Sequence, residues 1–330
     1  MKNKDFVGIV LAAGDSTRMK SDIPKVLHPI LGRPMVDYVI NAITGSGIKR
    51  LLVVIGFKKE MVVDVFGDAD VEFVTQKKRL GTAHAVLQTS TFLENFDGDC
   101  LITCGDTPLI REETLQDICR KHVDEGADLT LLTACLEHPT GYGRILRDKG
   151  KRVLGIVEER DASPEERAIK EINTGIYCFK SRILFDLLRN IGNENQQGEY
   201  YLTDCIALAR KAGLRISNHI LHDATEICGV NSRIELAQAT ELIRRRKLET
   251  LMLEGVTIID PNATYIDSDV SIGRDTTIYP CVVIEGKSVI GKGCVIRPFT
   301  YINDVSVGDG EIIGKDPLGP FDSSGSGAYN

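Results

Sequence analysis

Short apolar runs alternate with amphipathic, helix-length segments from residue 6 to about residue 230. This alternation is typical of an α/β domain with a mostly parallel sheet, whose ligands bind beyond the carboxyl ends of the strands. The predicted strands are residues 7–12, 51–55, 71–75, 100–104, 129–135, 153–157 and 172–179. The predicted helices are residues 35–44, 58–66, 82–93 and 112–125. The first half of this region therefore has the predicted order β-α-β-α-β-α-β.

A long helical pattern follows this region. Ser232 and Glu235 have the spacing of a capping box, and Gly255 ends a pattern that runs to Leu253. We therefore predict a connecting helix over residues 231–255. Its basic run at residues 244–247 has the composition of a nucleic-acid patch, but on a single helix we favour a solvated polar face.

Isoleucine recurs every six residues from Ile266 to Ile302. One inward aliphatic residue per six-residue repeat is typical of a β-helix, in which three short strands form one coil of about 18 residues. Gly273 and Gly291 lie one coil apart, at corners that need small residues. After Ile302 the register slips by one residue. We predict a short β-helix over residues 256–315, followed by a tail over residues 316–330 that is disordered or a truncation scar.

The composition indicates a folded protein of about two domains, with 42% hydrophobic and 26% charged residues over 330 positions. The net charge of −7 gives no overall basic field, so we expect no nucleic-acid partner, and an anionic ligand needs a local basic cluster. No apolar stretch approaches the roughly 20 residues of a membrane helix, so we expect no membrane partner. Nine scattered cysteines without a CxxC pair predict reduced thiols and a cytoplasmic protein.

The clearest candidate site follows the first predicted strand. The residues Leu11, Ala12, Ala13 and Gly14 are small or apolar and are followed by Arg18 and Lys25. Small residues let backbone N–H groups approach an anion, and the two cations supply charge for a polyphosphate. The run is neither a Walker A loop nor GxGxxG, so the usual NTPase and dinucleotide patterns do not apply. Taken alone, it fits a tight strand-to-helix turn with two surface cations equally well.

This run resembles the sugar-1-phosphate nucleotidyltransferase signature, LAAGxGTRM followed by PK, with Ser16 in place of the second glycine. Further motifs follow in family order, including LGTAHA at 80–85, GDTPL at 105–109, EINTG at 171–175 and QGEYYLTD at 197–204. With the hexapeptide repeats, they are similar to the bacterial bifunctional N-acetylglucosamine-1-phosphate uridyltransferase/glucosamine-1-phosphate acetyltransferase family over residues 6 to about 314. The resemblance implies a Rossmann-like nucleotidyltransferase domain over residues 1–230 and a left-handed parallel β-helix.

The same resemblance implies roles for individual residues. It assigns phosphate contacts in catalysis to Arg18 and Lys25, and Mg²⁺ ligation to Asp106 and Asn231. The implied nucleotide-binding residues are Leu11, Ala12, Ala13, Gly14, Gln76, Gly81 and Thr82, and the implied sugar-binding residues are Gly143, Glu158 and Asn173.

Several of these positions have other interpretations. From the residues alone, Asp106 is also compatible with a turn cap before Pro108, and Asn231 with a residue that leads into a helix. Arg79 stands where the family usually has a second glutamine, and Cys104 receives no role. We expect His28 and His84 to be structural or supporting, because the sugar phosphate is already ionised and needs no general base.

The implied reaction is Mg²⁺-dependent uridylyl transfer from UTP to N-acetylglucosamine-1-phosphate, which yields UDP-N-acetylglucosamine, a cell-wall peptidoglycan precursor, and pyrophosphate. The implied assembly is a homotrimer formed through the β-helix. We expect no acetyl transfer, because no histidine follows His222 and the repeat loses register before the family's later coils. Two alternatives stay open: a thymidylyl-, adenylyl- or guanylyltransferase for another sugar, and a regulatory subunit that binds sugar nucleotide without turnover.

Overall fold

A computed structural model describes residues 5–14, 17–67 and 70–315. Contacts divide the chain into two units: unit 1 contains the chain up to His28 and Pro34–Ala239, and unit 2 contains Pro29–Arg33 and the chain from Thr240 onward. Ser16 and the predicted tail at 316–330 lie outside the described residues. The domain limits predicted at residues 230, 255 and 315 stay predictions.

The strands up to residue 221 are β1 (Phe6–Ala12), β2 (Pro29–Ile30), β3 (Arg33–Pro34), β4 (Arg50–Ile55), β5 (Glu72–Thr75), β6 (Asp99–Cys104), β7 (Leu129–Cys135), β8 (Arg144–Arg147), β9 (Val153–Val157), β10 (Glu171–Lys180) and β11 (Ile216–Leu221). The helices are α1 (Met35–Gly45), α2 (Lys59–Phe66), α3 (Thr82–Leu87), α4 (Glu112–Asp124), α5 (Pro164–Arg167), α6 (Ser181–Leu188), α7 (Asp204–Lys211) and α8 (Arg233–Leu253). None of the described helices has the length and apolar character needed to cross a membrane.

A nine-stranded sheet forms the centre of unit 1. Its main path has the order β11-β7-β10-β6-β1-β4-β5, with β8 and β9 attached beside β10. Neighbours are parallel along β6-β1-β4-β5 and between β7 and β11, whereas β10 is antiparallel to β6 and β7. The predicted mostly parallel α/β fold is therefore confirmed. Because Leu11 of β1 lies opposite Cys104 of β6, the loops after these two strands leave the sheet at the same edge.

Alternating side chains of the strands enter two apolar layers, one on each face of the sheet. Ile9, Leu52 and Ile102 belong to a layer with residues of α3, α6 and α7. Their neighbours Val10, Val53 and Leu101 belong to a layer with residues of α1, α2 and α4. Strands covered on both faces have nearly continuous apolar sequences, which explains why the sequence located them.

The predicted helix over residues 82–93 is wrong in length. Helix α3 ends at Leu87, and a short 3-10 turn follows at Ser90–Phe92. The Thr89 hydroxyl donates to the carbonyl of Val86 at 2.7 Å, and the Thr89 N–H bonds the same carbonyl. Such local bonds of a threonine side chain compete with helical hydrogen bonds, so the helix stops here. The sequence analysis also did not predict β8, β11, α6 or α7.

Unit 2 contains short strands at a regular spacing. They are β12 (Thr257–Ile258), β13 (Tyr265–Ile266), β14 (Ser271–Ile272), β15 (Thr277–Ile278), β16 (Val283–Glu285), β17 (Val289–Ile290), β18 (Val295–Ile296), β19 (Tyr301–Asn303), β20 (Ser306–Val307) and β21 (Ile312–Ile313). They form three parallel sheets, ordered β12-β15-β18-β21, β13-β16-β19 and β14-β17-β20. This is the stacked arrangement of a hexapeptide-repeat β-helix, and the prediction is confirmed.

The repeat isoleucines form the interior of this β-helix. All seven, from Ile266 to Ile302, are at least nine-tenths buried. Ile266, Ile284 and Ile302 are stacked in register, which confirms the 18-residue coil, whereas Ile290 pairs with Val307 after the one-residue slip. At the corners the coils are in close contact: a Cβ atom on Gly291 would lie 2.6 Å from the backbone nitrogen of Asp309.

The basic run of α8 is not a solvated polar face at two of its positions. Arg244 is 3% exposed and donates to the carbonyl oxygens of Thr264, at 2.9 Å, and Pro261. The Lys247 ammonium donates to the carbonyls of Ser268 and Val270, at 3.1 and 2.7 Å. The carbonyls at the start of the β-helix need donors, and these side chains supply them.

Candidate active site

A cavity of about 480 Å³ opens at the edge of the sheet where β1 and β6 end. Its lining residues are Leu11, Ala12, Ala13, Gly14, Lys25, Val26, Gln76, Arg79, Gly81, Thr82, Ala85, Cys104, Asp106 and Glu199. The set includes all seven residues predicted to bind the nucleotide, together with one of the two predicted phosphate-contacting cations and one of the two predicted metal ligands. The structure therefore brings residues from five separate segments to the place where ligands of parallel sheets bind.

One side of the cavity carries an oriented amide. Gln76 is 5% exposed, and its Nε2 donates to the Gly81 carbonyl at 3.1 Å and to Nδ1 of His84 at 3.0 Å. Burial lowers the pKa of His84 below its ordinary value, which favours the neutral ring, and a neutral ring can accept at Nδ1. With its NH₂ group used in this way, Gln76 has its carbonyl oxygen left to accept a hydrogen bond from a ligand.

Gly81 has a backbone conformation that a larger residue would not adopt. Its φ is +107°, and a Cβ atom would lie 2.5 Å from the Tyr200 carbonyl oxygen. Backbone bonds from Tyr200 N to Leu80 O and from Ala83 N to Tyr200 O pair this loop with the segment around Tyr200. This pairing explains why Glu199 lines the cavity, a position the sequence analysis missed although QGEYYLTD was one of its motifs.

The Lys25 ammonium joins the two predicted metal ligands. Its Nζ lies 2.5 Å from Asp106 Oδ2 and 2.8 Å from Asn231 Oδ1. The Lys25 side chain is 13% exposed and that of Asp106 is 22% exposed. A carboxylate oxygen and an amide oxygen thus converge on one cation, and both are ligand types that Mg²⁺ accepts. The two residues fit a Mg²⁺ site, although among the described residues no three His, Cys, Asp or Glu side chains form a metal-binding group.

Backbone and capping bonds hold Asn231 beside Asp106. Val230 N donates to the Asp106 carbonyl at 2.8 Å. Asn231 N donates to Glu235 Oε2 at 2.7 Å, at the start of α8. The backbones of these two residues are therefore held close together by the fold, although they lie 125 positions apart in sequence, at 106 and 231.

His28 supports the same region. It is buried, and its Nδ1 accepts a hydrogen bond from Arg233 at 3.1 Å. Burial, followed by the Arg233 charge, lowers the pKa of His28 below its ordinary value. This contact joins the segment after Lys25 to the start of α8, which agrees with the structural role expected for His28.

The three predicted sugar-binding residues lie together. Asn173 N donates to the Gly143 carbonyl at 2.8 Å, and Glu158 Oε2 lies 3.3 Å from the position a Cβ atom of Gly143 would take. The Tyr177 hydroxyl donates to Asn173 Oδ1 at 2.8 Å, and the Thr203 hydroxyl donates to Glu158 Oε1 at 3.1 Å. Burial raises the pKa of Glu158 above its ordinary value. A partly buried carboxylate and a partly buried amide are thus held close together, each by a hydrogen bond from a neighbouring hydroxyl.

Cys104 belongs to both groups of residues. It lines the cavity, and its Sγ lies 3.3 Å from the position a Cβ atom of Gly175 would take, two residues after Asn173. Burial raises the pKa of its thiol to about 12, so it is a neutral packing group at physiological pH and not a nucleophile.

Arg18 is the predicted catalytic residue that does not line the cavity in the part of the chain described. It lies in a short 3-10 turn, Thr17–Met19, with an exposed side chain. Arg79, Val26 and Ala85 line the cavity without having been predicted. A loop residue such as Arg79 carries no periodic signal, and the sequence analysis noted it only as a departure from the family's second glutamine.

Residues 7–239 match the nucleotidyl transferase family, and residues 269–304 match the bacterial transferase hexapeptide family of six repeats. The chain belongs to the nucleotidyl transferase family. It is 49% identical over 305 residues to the bifunctional protein GlmU of Geobacillus sp. (strain WCH70), covering 92% of this chain and 66% of the relative. For the GlmU of Geobacter metallireducens, the identity is 49% over 294 residues, covering 89% of this chain and 62% of the relative.

The similarity to GlmU proteins covers about nine tenths of this chain. The GlmU of Carboxydothermus hydrogenoformans is 47% identical over 302 residues, covering 92% of this chain and 67% of the relative. The chain thus spans about two thirds of the length of these relatives. As a nucleotidyl transferase family member, it carries the predicted Lys25, Asp106 and Asn231 in one cluster at the cavity, while the role of each stays a prediction.

Proposed function

We propose that this chain catalyses Mg²⁺-dependent transfer of a uridylyl group from UTP to N-acetylglucosamine-1-phosphate, forming UDP-N-acetylglucosamine and pyrophosphate. The observation that carries the proposal is the cluster of Lys25, Asp106 and Asn231 beside a cavity lined by the loop after β1. The similarity to GlmU proteins supports this reaction over transfer of another nucleotide. Its place in the cell is the cytoplasm, in the supply of peptidoglycan precursors.

The uracil base lies against Gln76 and Gly81. The free carbonyl oxygen of Gln76 accepts from the N3–H of uracil, a donor that cytosine lacks at this position. Because Gly81 and His84 hold the amide nitrogen of Gln76, the side chain does not rotate to offer its NH₂ group instead. This fixed orientation favours a base with a ring N–H.

The triphosphate lies along the loop of Ala13 and Gly14, with Arg18 and Lys25 contributing positive charge. An oxygen of the sugar phosphate attacks the α-phosphorus in line, and pyrophosphate leaves. No side chain acts as a nucleophile, so the protein contributes positioning and charge neutralisation. Asp106 and Asn231 would hold Mg²⁺, which neutralises phosphate charge when it is bound.

Glu158 and Asn173 bind the N-acetylglucosamine ring. The Glu158 carboxylate accepts from sugar hydroxyls while Thr203 holds its other oxygen. The Asn173 carbonyl oxygen already accepts from Tyr177 and from the Gly175 N–H, so its amide NH₂ group is the one left to donate to the substrate. The two residues thus supply one acceptor and one donor.

Unit 2 forms a homotrimer in this proposal. The β-helix exposes large apolar and aromatic side chains, with Phe299 83%, Tyr301 64% and Ile312 57% exposed. Exposed apolar surface of this kind on a short solenoid favours association with further copies of this chain, which would bury that surface. Light scattering over a concentration series is expected to show a trimer, and a monomer at every concentration would contradict the assembly.

The proposed reaction is tested by measuring pyrophosphate release with a panel of nucleoside triphosphates and sugar-1-phosphates. Release with UTP and N-acetylglucosamine-1-phosphate alone supports the proposal. Faster release with dTTP, ATP or GTP would indicate one of the other nucleotidyltransferases. Sugar-nucleotide binding without release under any pairing would indicate the regulatory subunit.

A further inference from the structure

Lys25 lies where a divalent cation would be held, because its ammonium donates a hydrogen bond to one side-chain oxygen of each predicted metal ligand. We propose that the Lys25 ammonium and the divalent cation compete for Asp106 Oδ2 and Asn231 Oδ1, so that cation binding displaces Lys25 toward the phosphates. The inference rests on the proposed function in taking these residues as the Mg²⁺ ligands. It adds that the lysine holds the site in the ligand-free protein and changes partner when the cation enters.

The contact distances require this competition. Nζ of Lys25 lies 2.5 Å from the carboxylate oxygen and 2.8 Å from the amide oxygen. An ammonium is a donor with no acceptor capacity, and a hard cation seeks the same oxygens. Two cations that share one carboxylate oxygen and one amide oxygen at such distances repel each other strongly in a partly buried site.

Of the partners in this cluster, the lysine is the one that can move. The bond from Val230 N to the Asp106 carbonyl and the bond from Asn231 N to Glu235 hold the backbones of the two residues, and their short side chains carry the two oxygens. The Lys25 side chain, in contrast, is a flexible four-carbon chain, and it lines the cavity together with Ala13 and Gly14. A short rotation therefore takes the ammonium from the two oxygens toward the loop proposed to bind phosphates.

The exchange couples cation binding to nucleotide binding. Without a nucleotide, a displaced ammonium loses two oxygen partners and gains no phosphate, so the cation alone binds weakly. With a triphosphate present, the ammonium gains phosphate oxygens as new partners, and these offset the loss of its bonds to Asp106 and Asn231. The cation and the nucleotide thus bind cooperatively through Lys25, with reciprocal effects on affinity.

The first test measures Mn²⁺ binding to the full chain without nucleotide, by electron paramagnetic resonance of free Mn²⁺. Mn²⁺ suits the purpose because it takes the same oxygen ligands as Mg²⁺. Lys25→Met is expected to bind Mn²⁺ at least about tenfold more tightly than wild type, the scale on which a charge at ion-pair distance alters binding of another ion. Arg18→Met removes one charge from the same loop and is expected to change the affinity less than about twofold, since its side chain is exposed. Asp106→Asn is expected to abolish the tight binding in the Lys25→Met background.

The second test uses the wild-type chain and therefore does not depend on whether a variant folds. Lysines are labelled with an amine-reactive reagent with and without Mn²⁺, and each site is quantified by mass spectrometry. Labelling of Lys25 is expected to rise several-fold with Mn²⁺, while labelling of Lys211, an exposed lysine in the last turn of α7, stays constant.

Equal or weaker Mn²⁺ binding by Lys25→Met, or unchanged Lys25 labelling, would overturn the inference even if uridylyl transfer is observed. Absence of Mn²⁺ binding in wild type and in Lys25→Met would overturn it as well. If both tests succeed and pyrophosphate release fails, the competition holds and the proposed reaction is wrong.

Discussion

Units 1 and 2 achieve burial in contrasting ways. In unit 2, each six-residue repeat places one isoleucine in the interior, as at Ile266, Ile284 and Ile302. In unit 1, no position repeats, and the candidate site combines loops as distant in sequence as Lys25 and Asn231, 206 positions apart. A periodic sequence thus specifies shape, while the site depends on which loops the sheet order places together.

This difference predicts separable effects of substitution. A change at the strand edge of unit 1 removes a polar contact on the cavity surface and is expected to affect turnover more than stability. A change in the interior of unit 2 leaves every cavity residue in place and is expected to affect stability and assembly instead.

The largest effect is expected at Asp106. Asp106→Asn removes the negative ligand of the proposed metal site from a partly exposed position, so the fold is retained. We expect kcat for pyrophosphate release to fall by about 10²–10³-fold or more at saturating substrates. Asp124→Asn, at an exposed position on α4, is the matched control and is expected to match wild type. Wild-type turnover of Asp106→Asn would show that this carboxylate does not act in the reaction.

The next effect separates catalysis from binding at the two cations. Lys25→Ala is expected to lower kcat by about 10²-fold, because the charge acts more strongly on the transition state than on bound UTP. Arg18→Ala is expected to lower kcat by a smaller factor, since Arg18 is exposed and does not line the described cavity. Arg120→Ala, an exposed arginine on α4, serves as control. If only KM for UTP rises, these residues bind the nucleotide and do not contribute to catalysis.

A smaller, pH-dependent effect is expected at Glu158. Burial raises its pKa, so its carboxylate takes up a proton at a higher pH than an exposed glutamate does. As the pH falls through this raised pKa, the charged acceptor is lost, and KM for N-acetylglucosamine-1-phosphate is expected to rise. Glu158→Gln is expected to have a several-fold higher KM at neutral pH, without the acidic rise. An acidic rise of equal size in this variant would place the titrating group elsewhere.

The effect of pH on stability is opposite to its effect on sugar binding, because burial destabilises only the charged form of Glu158. The folded state of wild type holds this proton more tightly than the unfolded state does, so the contribution of Glu158 to stability decreases as the pH rises through its raised pKa. Glu158→Gln is therefore expected to melt at a slightly higher temperature than wild type at neutral pH, while binding the sugar less well. Differential scanning calorimetry at two pH values measures this difference.

In unit 2, Ile284→Ala tests whether a change in the β-helix interior lowers stability without lowering turnover. Ile284 is fully buried, and its loss is expected to lower the free energy of unfolding of the β-helix by about 2–4 kcal/mol. Ile259→Ala, at a residue 54% exposed, is expected to cost less than about 0.5 kcal/mol. Uridylyl transfer at low temperature is expected to be unchanged in both. A large loss of kcat in Ile284→Ala without unfolding would show that the units are not separable in this way.

We expect this chain to show no acetyltransferase activity. No histidine follows His222 in the sequence to act as a general base. Incubation with acetyl-coenzyme A and glucosamine-1-phosphate is expected to release free thiol at the background rate. Clear thiol release would reveal an acetylation site that neither the repeat pattern nor the cavity indicates.

The sequence predicted those features that local patterns determine. Isoleucine spacing located the β-helix strands, and continuous apolar runs located the strands covered on both faces. The run from Leu11 to Gly14, at the end of β1, was predicted from its small residues and its resemblance to a family signature. Strand β11 was not predicted, because its half-buried pattern includes Asn218 and His219 and has no continuous apolar run.

Contacts between distant segments could not be predicted in this way. The bridge from Lys25 to Asp106 and Asn231 depends on the placement of three loops, and none of these loops has periodicity. Glu199 reaches the cavity through backbone pairing of Tyr200 with the loop before α3. Arg244 was predicted to be solvated because nothing in its own helix indicates a partner. Its carbonyl partners come from the start of the β-helix.

The most direct test of the central claim is a crystal structure of the chain with UDP-N-acetylglucosamine. The account predicts uracil at Gln76 and Gly81, the diphosphate beside Gly14 and Lys25, and the sugar at Glu158 and Asn173. Density for the ligand at another surface, or an empty cavity at saturating ligand with binding confirmed in solution, would contradict the assignment of this cavity as the active site.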